Sequence, residues 1–164
     1  YHFLNGYTCK IAGTERGVTE PQAVFSACFG EPFLTLHPFK YAELLRDKLE
    51  KHNSNIYLVN TGWTGGAYGV GERMSIKDTR KCIDSILTGN IEAAQFTKDD
   101  TFGFKVPLEL PGVPGDVCIP INSWDNTEDY HHHKIKLASM FIDNYKKYTG
   151  SGIPDYSEFG PKIL

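Results

Sequence analysis

Residues 58–79, LVNTGWTGGAYGVGERMSIKDT, hold the densest set of ligand-binding groups in the chain. Gly62, Gly65, Gly66, Gly69 and Gly71 strip side chains from a loop, so a ligand can approach bare backbone. Arg73 leaves that loop, Met74 follows it, and Thr79 lies a little further on. A planar guanidinium can stack on a purine or hydrogen-bond ribose and phosphate oxygens. Met74 offers apolar surface and a backbone pair, and the Thr79 hydroxyl can meet a base edge. The alternative has Arg73 bonding nearby carbonyls and Thr79 facing the core.

The loop fails the two phosphate-binding templates. Gly66 and Gly71 have the spacing of G-x-x-x-x-G-K-[ST], but Glu72 and Arg73 occupy the lysine and hydroxyl positions. A carboxylate there repels phosphate. Gly69 and Gly71 begin G-x-G-x-x-G, but Met74 stands where the third glycine belongs. The loop is therefore not a phosphate-gripping P-loop, and it is either plain punctuation or a ligand-binding loop of another kind.

Local signals predict the elements that position these groups. Ile56 to Val59 reads as a central strand entering the loop. Ser75 with Asp78 three residues on is a capping-box variant, so a helix begins there. Ile76, Ile83, Ile86 and Leu87 predict its buried face, and Gly89 its C′ residue. Upstream, Pro38 opens a helix with Tyr41, Leu44, Leu45 and Leu49 on one face, an Asp47–Lys51 pair on the other, and Asn53 to Asn55 at its end. Residues 1–10 read as a helix tail and residues 23–36 as buried extended structure broken by Gly30 and Pro32. FGFKVPLEL and VCIPI read as two short strands around an irregular loop. A helix over 127–149, capped by Asn126 or Thr127 and ended by Gly150, lines up Tyr130, Leu137, Phe141 and Tyr145. Helices alternating with short strands predict a mixed α/β fold, a mixed sheet with flanking helices.

At 164 residues, 40% hydrophobic and 23% charged, the chain can bury a core and has no disordered composition. A net charge of −3 without a basic run disfavours bulk-charge binding to nucleic acid or membrane surfaces. No run approaches about 18 apolar residues, so no membrane span is expected. The chain opens on Tyr1, and the expectation is that its true N-terminal part, with any targeting signal, lies upstream. Cys9, Cys28, Cys82 and Cys118 make no C-x-x-C, which predicts reduced, buried thiols in a cytoplasmic protein and no zinc.

Other candidates read more simply as structure. His131, His132 and His133 point about 100° apart on a helix and cannot converge on one ion. Glu128 with His132, or Asp129 with His133, offers at best two ligands, so a solvated helix face is expected. Glu15 and Arg16 in GTERG are either a buried ion pair or substrate groups. Tyr145 and Tyr148 beside Lys146 and Lys147 predict amphipathic packing with snorkelling lysines.

Three colinear stretches carry a resemblance over nearly the whole chain. VNTGWTGGAYGVGERMSIKDTR, YHFLNGYTCKIAGTERGVTEPQAVFSACFGEPFLTLHPFKYAELL and LELPGVPGDVCIP together resemble the C-terminal third of ATP-dependent phosphoenolpyruvate carboxykinases. The resemblance implies that residues 1–164 are a C-terminal fragment of that fold's nucleotide-binding, mobile domain. It implies that Arg73, Met74 and Thr79 hold ATP, with Met74 replacing an aliphatic residue more often found there. The implied reaction converts oxaloacetate and ATP to phosphoenolpyruvate, ADP and CO2, a step of gluconeogenesis. The P-loop, the divalent-metal ligands (for Mg2+ or Mn2+) and the oxaloacetate-contacting arginines are implied upstream, so the segment alone is expected to be inactive, with no catalytic residue and no metal site of its own. The runner-up is a non-catalytic nucleotide-binding or interaction module that kept the fold and lost that machinery.

Overall fold

A computed structural model describes residues 1–10, 13, 16–150 and 152–163. In chain order the elements are α1 (His2–Asn5), β1 (Tyr7–Lys10), β2 (Gln22–Phe25), α2 (Pro38–His52), β3 (Trp63–Thr64), β4 (Glu72–Arg73), α3 (Ile76–Leu87), β5 (Phe96–Lys98), β6 (Lys105–Pro107), α4 (Gly115–Cys118) and α5 (Thr127–Tyr145). Short 3-10 turns join several of them. The fold is mixed α/β, but among the described residues the strands form three separate two-stranded antiparallel ladders, β1·β2, β3·β4 and β5·β6, rather than one mixed sheet. Two compact units emerge, Tyr1–Ile56 with Lys136–Leu164, and Tyr57–Ile135.

The first unit packs an aromatic core. Leu4, Ala27, Phe39, Tyr145 and Tyr148 are buried together, with Tyr1 and Tyr156 against them. Tyr1 stacks on Tyr145 with ring centroids 4.3 Å apart, and Phe39 on Tyr156 at 5.4 Å. Two polar groups inside are paired, as burial favours, whereas the buried Tyr148 hydroxyl has no partner among the described residues. Asn5, fully buried, donates to the Tyr1 carbonyl at 3.1 Å and accepts from Asn144 at 2.8 Å. The Tyr145 hydroxyl accepts from the Tyr156 amide at 2.9 Å. Lys146 and Lys147 stay exposed while Tyr145 and Tyr148 go inside, as the snorkelling pattern predicted.

Local signals set several ends correctly. Pro38 opens α2, and Asn53 closes it in the left-handed region at φ 47°. Asp47 meets Arg46 at 3.4 Å, however, and not Lys51. Ser75 caps α3, with its hydroxyl oxygen accepting from the Asp78 amide at 3.0 Å. Gly89 follows α3 at φ 76°, a conformation that disfavours a Cβ. Asn126 caps α5 by accepting from the Glu128 amide at 2.9 Å.

Several expectations are corrected. Residues 1–10 are not one helix tail, because Gly6 turns left-handed and sends Tyr7–Lys10 into a ladder with Gln22–Phe25. Residues 23–36 leave extended structure after Phe25 for two 3-10 turns, and only Ala27 among them is buried. Residues 56–59 form no strand, since a strand needs a ladder partner and none of the described residues supplies one; only Tyr57 reaches a core. VCIPI is no strand: Val117 and Cys118 end α4, and Pro120 opens a 3-10 turn after an extended Ile119. The real partner of Lys105–Pro107 is Phe96–Lys98.

The core of the second unit holds Ile91, Leu110, Val113 and Cys118, with Cys82 and Ile86 of α3 packed on it. The predicted face of α3 is only partly the buried one: Ile86 packs on this core as expected. Ile76 and Leu87 are 75% and 79% exposed, and Ile83 lies on the same outward stripe. Residues 79, 82 and 86 make the inward stripe at helical spacing.

An ion cluster ties α5 to the β5–β6 turn. Lys134, with a side chain 10% exposed, lies 2.8 Å from Asp99 and also pairs with Asp100. Asp99 in turn accepts from the Thr101 and Phe102 amides, which fixes the turn. Burial alone would lower the Lys134 ammonium, but its bonds to Asp100 and Asp99 outweigh that and hold it above its ordinary 10.5. The same hydrogen bond and charge hold the Asp100 carboxyl below its ordinary 3.8.

The hairpin β3–β4 depends on one missing side chain. A Cβ on Gly71 would lie 2.5 Å from the backbone oxygens of both Gly66 and Thr64. Above Gly71, the Val70 and Gly71 amides both donate to the Ala67 carbonyl, at 3.0 and 2.9 Å.

Two predictions follow from these contacts in the full-length protein. Lys134→Met should destabilise the second unit by about 1–3 kcal/mol at neutral pH. A raised lysine stabilises below about pH 10 and loses that effect as pH rises through its folded value; a depressed aspartate stabilises above about pH 4 and loses it as pH falls. The gap between wild type and Lys134→Met in urea melts should therefore be flat near neutrality and shrink toward pH 3. Trp124 reports this unit in a Trp63→Phe background, since its ring packs 5.7 Å from Tyr130 and 5.3 Å from His133. An unchanged gap at pH 3 would contradict the role of the pair. Separately, Gly71→Ala should cost about 1–3 kcal/mol and speed amide exchange across residues 62–74. Protection equal to wild type would mean that the close approach at Gly71 is easily relieved.

Candidate functional site

The glycine loop is the arch of a hairpin. Trp63 pairs with Arg73 and Thr64 with Glu72. The Met74 amide donates to the Gly62 carbonyl at 3.0 Å, one residue outside the Trp63–Arg73 pair. That makes Trp63 and Arg73 a non-hydrogen-bonded pair, the geometry in which opposed side chains come closest. Side chains alternate along a strand. Trp63 and Arg73 therefore share one face, and Thr64 and Glu72 share the other.

On the first face, Arg73 is exposed and its side chain makes no hydrogen bond or ion pair among the described residues. Trp63 meets Tyr68 edge-on, with centroids 5.3 Å apart and planes at 85°. Met74 is half-buried, and its amide is engaged by Gly62, which leaves its carbonyl and side chain to meet a ligand. Thr79 is half-buried on the inward stripe of α3, and its amide donates to Ser75 at 3.0 Å. Arg73 and Met74 are thus adjacent at the hairpin exit, and no hydrogen bond among the described residues joins either to Thr79.

The second face is acidic. A shallow cavity of ≈ 240 Å³ is lined by Thr64, Gly71, Glu72, Asp116, Val117 and Ser123, among others. Ser123 is its anchor. Its hydroxyl accepts from the Thr64 hydroxyl at 3.2 Å and the Gly65 amide at 3.1 Å, and donates to the Pro120 carbonyl at 2.7 Å. Sequence reasoning missed Ser123, because a serine in PINS far from the loop carries no local signal. Glu72 and Asp116 repel an anion, and the Gly65, Val70 and Gly71 amides are already bonded. The start of α3 is closed as well, since the Asp78 carboxylate accepts from Ser75 at 2.6 Å in its first turn. The arrangement suits a planar or cationic ligand part better than phosphate.

Elsewhere, His131, His132 and His133 are all exposed, with His133 Nδ1 2.8 Å from the Asp129 carbonyl. No three His, Cys, Asp or Glu side chains gather into a metal-binding group among the described residues. Cys118 is buried and Cys28 and Cys82 half-buried, but Cys9 is exposed, contrary to expectation; all four thiols are free. Burial pushes the Cys28, Cys82 and Cys118 thiols up. Arg16 is exposed rather than buried, and Glu15 lies outside the described residues. No helix among the described residues is long and apolar enough to cross a membrane.

Comparison with known proteins places these features in a family. The sequence model of the family described as phosphoenolpyruvate carboxykinase matches residues 1–116, a span that contains the hairpin, Arg73, Met74 and Thr79. A Campylobacter lari protein named phosphoenolpyruvate carboxykinase (ATP) is 57% identical over 166 residues, covering 99% of this chain and 31% of its own length. Proteins of the same name from Leptospira biflexa and Sulfurimonas denitrificans are 55% and 54% identical, over 98% and 99% of the chain. The chain spans about a third of the length of the curated relatives it matches, 31% in each case. With a family match over this span and hairpin, the chain belongs to the phosphoenolpyruvate carboxykinase family.

Proposed function

We propose that the chain is the C-terminal part of an ATP-dependent phosphoenolpyruvate carboxykinase and forms the base-binding side of its nucleotide site. The observation that carries this reading is Arg73. Its guanidinium is exposed and unpartnered among the described residues, at the exit of a hairpin whose other face is acidic. Relatives named for ATP share the segment at more than half identity. Arg73 would stack on or hydrogen-bond the adenosine half, with Met74 supplying apolar cover and Thr79 a hydroxyl at the base edge.

The whole protein would convert oxaloacetate and ATP to phosphoenolpyruvate, ADP and CO2, as a cytoplasmic enzyme without nucleic-acid or membrane partners. Such chemistry draws on a divalent cation, Mg2+ or Mn2+, for charge stabilisation. The described residues do not fit that ion, since no three ligands converge. In this reading the cation, the phosphate grip and the oxaloacetate contacts belong to the rest of the polypeptide.

Calorimetric titration of the full-length protein with ATP tests the assignment. Arg73→Ala should lose about 1–3 kcal/mol of binding, roughly five- to 150-fold in affinity. Thr79→Val should cost less and alter discrimination between bases. Metal and oxaloacetate affinities should stay at wild-type values. Arg73→Ala with intact nucleotide affinity and lost metal binding would refute the assignment. ATP binding without any ATP-dependent release of CO2 from oxaloacetate would instead identify a non-catalytic nucleotide-binding module.

A further inference from the structure

We infer that the Trp63 ring is a base-stacking surface of the nucleotide site, acting beside Arg73 on the same face of the hairpin. This rests on the nucleotide reading above and adds a residue to it. Four observations converge on the ring. Trp63 and Arg73 are directly opposed in the ladder, at the pair type that brings side chains closest. Both are exposed, Trp63 to 40%. Tyr68, 48% exposed, meets Trp63 edge-on, and such a pairing holds the indole while leaving aromatic surface open. The ladder carboxylate, Glu72, is directed to the opposite face, so nothing on the ladder neutralises Arg73.

An exposed indole braced by a tyrosine, with a guanidinium unpartnered among the described residues alongside, is a chemical match for a planar heteroaromatic base whose ring and sugar atoms accept hydrogen bonds. That is a purine nucleotide. Stacking uses the π-face that every base has, so it adds affinity with little selectivity. Base identity is then left to directional groups, the Thr79 hydroxyl and the Met74 carbonyl. The division of roles gives the inference its own signature, distinct from that of Thr79.

The test titrates full-length wild type, Trp63→Leu, Trp63→Phe and Tyr68→Leu with ATP, AMP and inorganic tripolyphosphate. Trp63→Leu should weaken ATP and AMP by the same factor, about five- to fiftyfold, and leave tripolyphosphate unchanged. Trp63→Phe should keep most of the affinity, and Tyr68→Leu should show a smaller loss. In a Trp124→Phe background that folds normally, AMP should quench Trp63 emission, which keeps the inference testable if Trp63→Leu does not fold. Wild type that binds ATP, with Trp63→Leu binding it equally well, overturns the inference alone. So does a loss shared by tripolyphosphate, or a lowered urea midpoint with unchanged affinity. Wild type that binds neither ATP nor AMP overturns the nucleotide reading itself.

Discussion

A ladder two residues long decides which chemistry the site can perform. The bond from the Met74 amide to the Gly62 carbonyl fixes the register, and the register fixes the faces. Slipping the pairing by one residue would turn Glu72 toward Trp63 and bury Arg73's charge against the acidic cavity. So short a ladder is weak by itself, since an isolated hairpin is marginal in water. Its register is held from outside, by Ser123 gripping Thr64 and Gly65 and by the absence of a Cβ at Gly71. The capped start of α3 holds the other end, two residues after Arg73. The positions of Arg73 and Trp63 are consequences of these three restraints.

The same restraints explain why a glycine-rich loop here does not resemble a phosphate cradle. A cradle needs several amides aimed outward at one anion. In this loop the Val70 and Gly71 amides turn inward to Ala67, and the Gly65 amide goes to Ser123. At Gly66 and Gly71 the missing Cβ serves close backbone approach within the hairpin. Two carboxylates line the cavity beneath. What remains outward is aromatic and cationic, and the two faces are separated by the pleat of the strands.

How much of this was legible depended on whether the signal was local. Both ends of α2 and α3 and the start of α5 were legible because Pro38, Asn53, Ser75, Gly89 and Asn126 act on amides or dihedrals within a few residues; the helix expected over 127–149 instead ends at Tyr145 and passes into a 3-10 turn over Lys146–Tyr148. The pairing of Phe96–Lys98 with Lys105–Pro107 was not, because both strands are short and the turn signal sits in Asp99 rather than in a glycine pair. The face of α3 was misread in part, for a different reason. Of the four residues expected inside, Ile86 packs inward beside Cys82, while the more hydrophobic stripe of Ile76, Ile83 and Leu87 stays outside. Apolar periodicity marks a face to be covered without naming what covers it; in the proposed reading, that is the rest of the polypeptide. At the site, Arg73's position at a loop exit was readable, while its pairing with Trp63 and the grip of Ser123 required the ladder.

The proposed division of labour has an energetic logic. Contacts to a base lie far from the transferring phosphoryl group and do not change as the reaction proceeds. They stabilise ground and transition states alike, which tightens substrate binding without accelerating chemistry directly. Their value lies in orientation, since a nucleotide held at its base presents its phosphates to the groups that grip them at a defined distance. Such an anchor works only if it is rigid, and Arg73 and Trp63 sit on paired strands rather than on the arch of the loop. Keeping carboxylates off that face matters equally. A carboxylate beside Arg73 would pair with it first, and the guanidinium would have to be freed before it met the ligand.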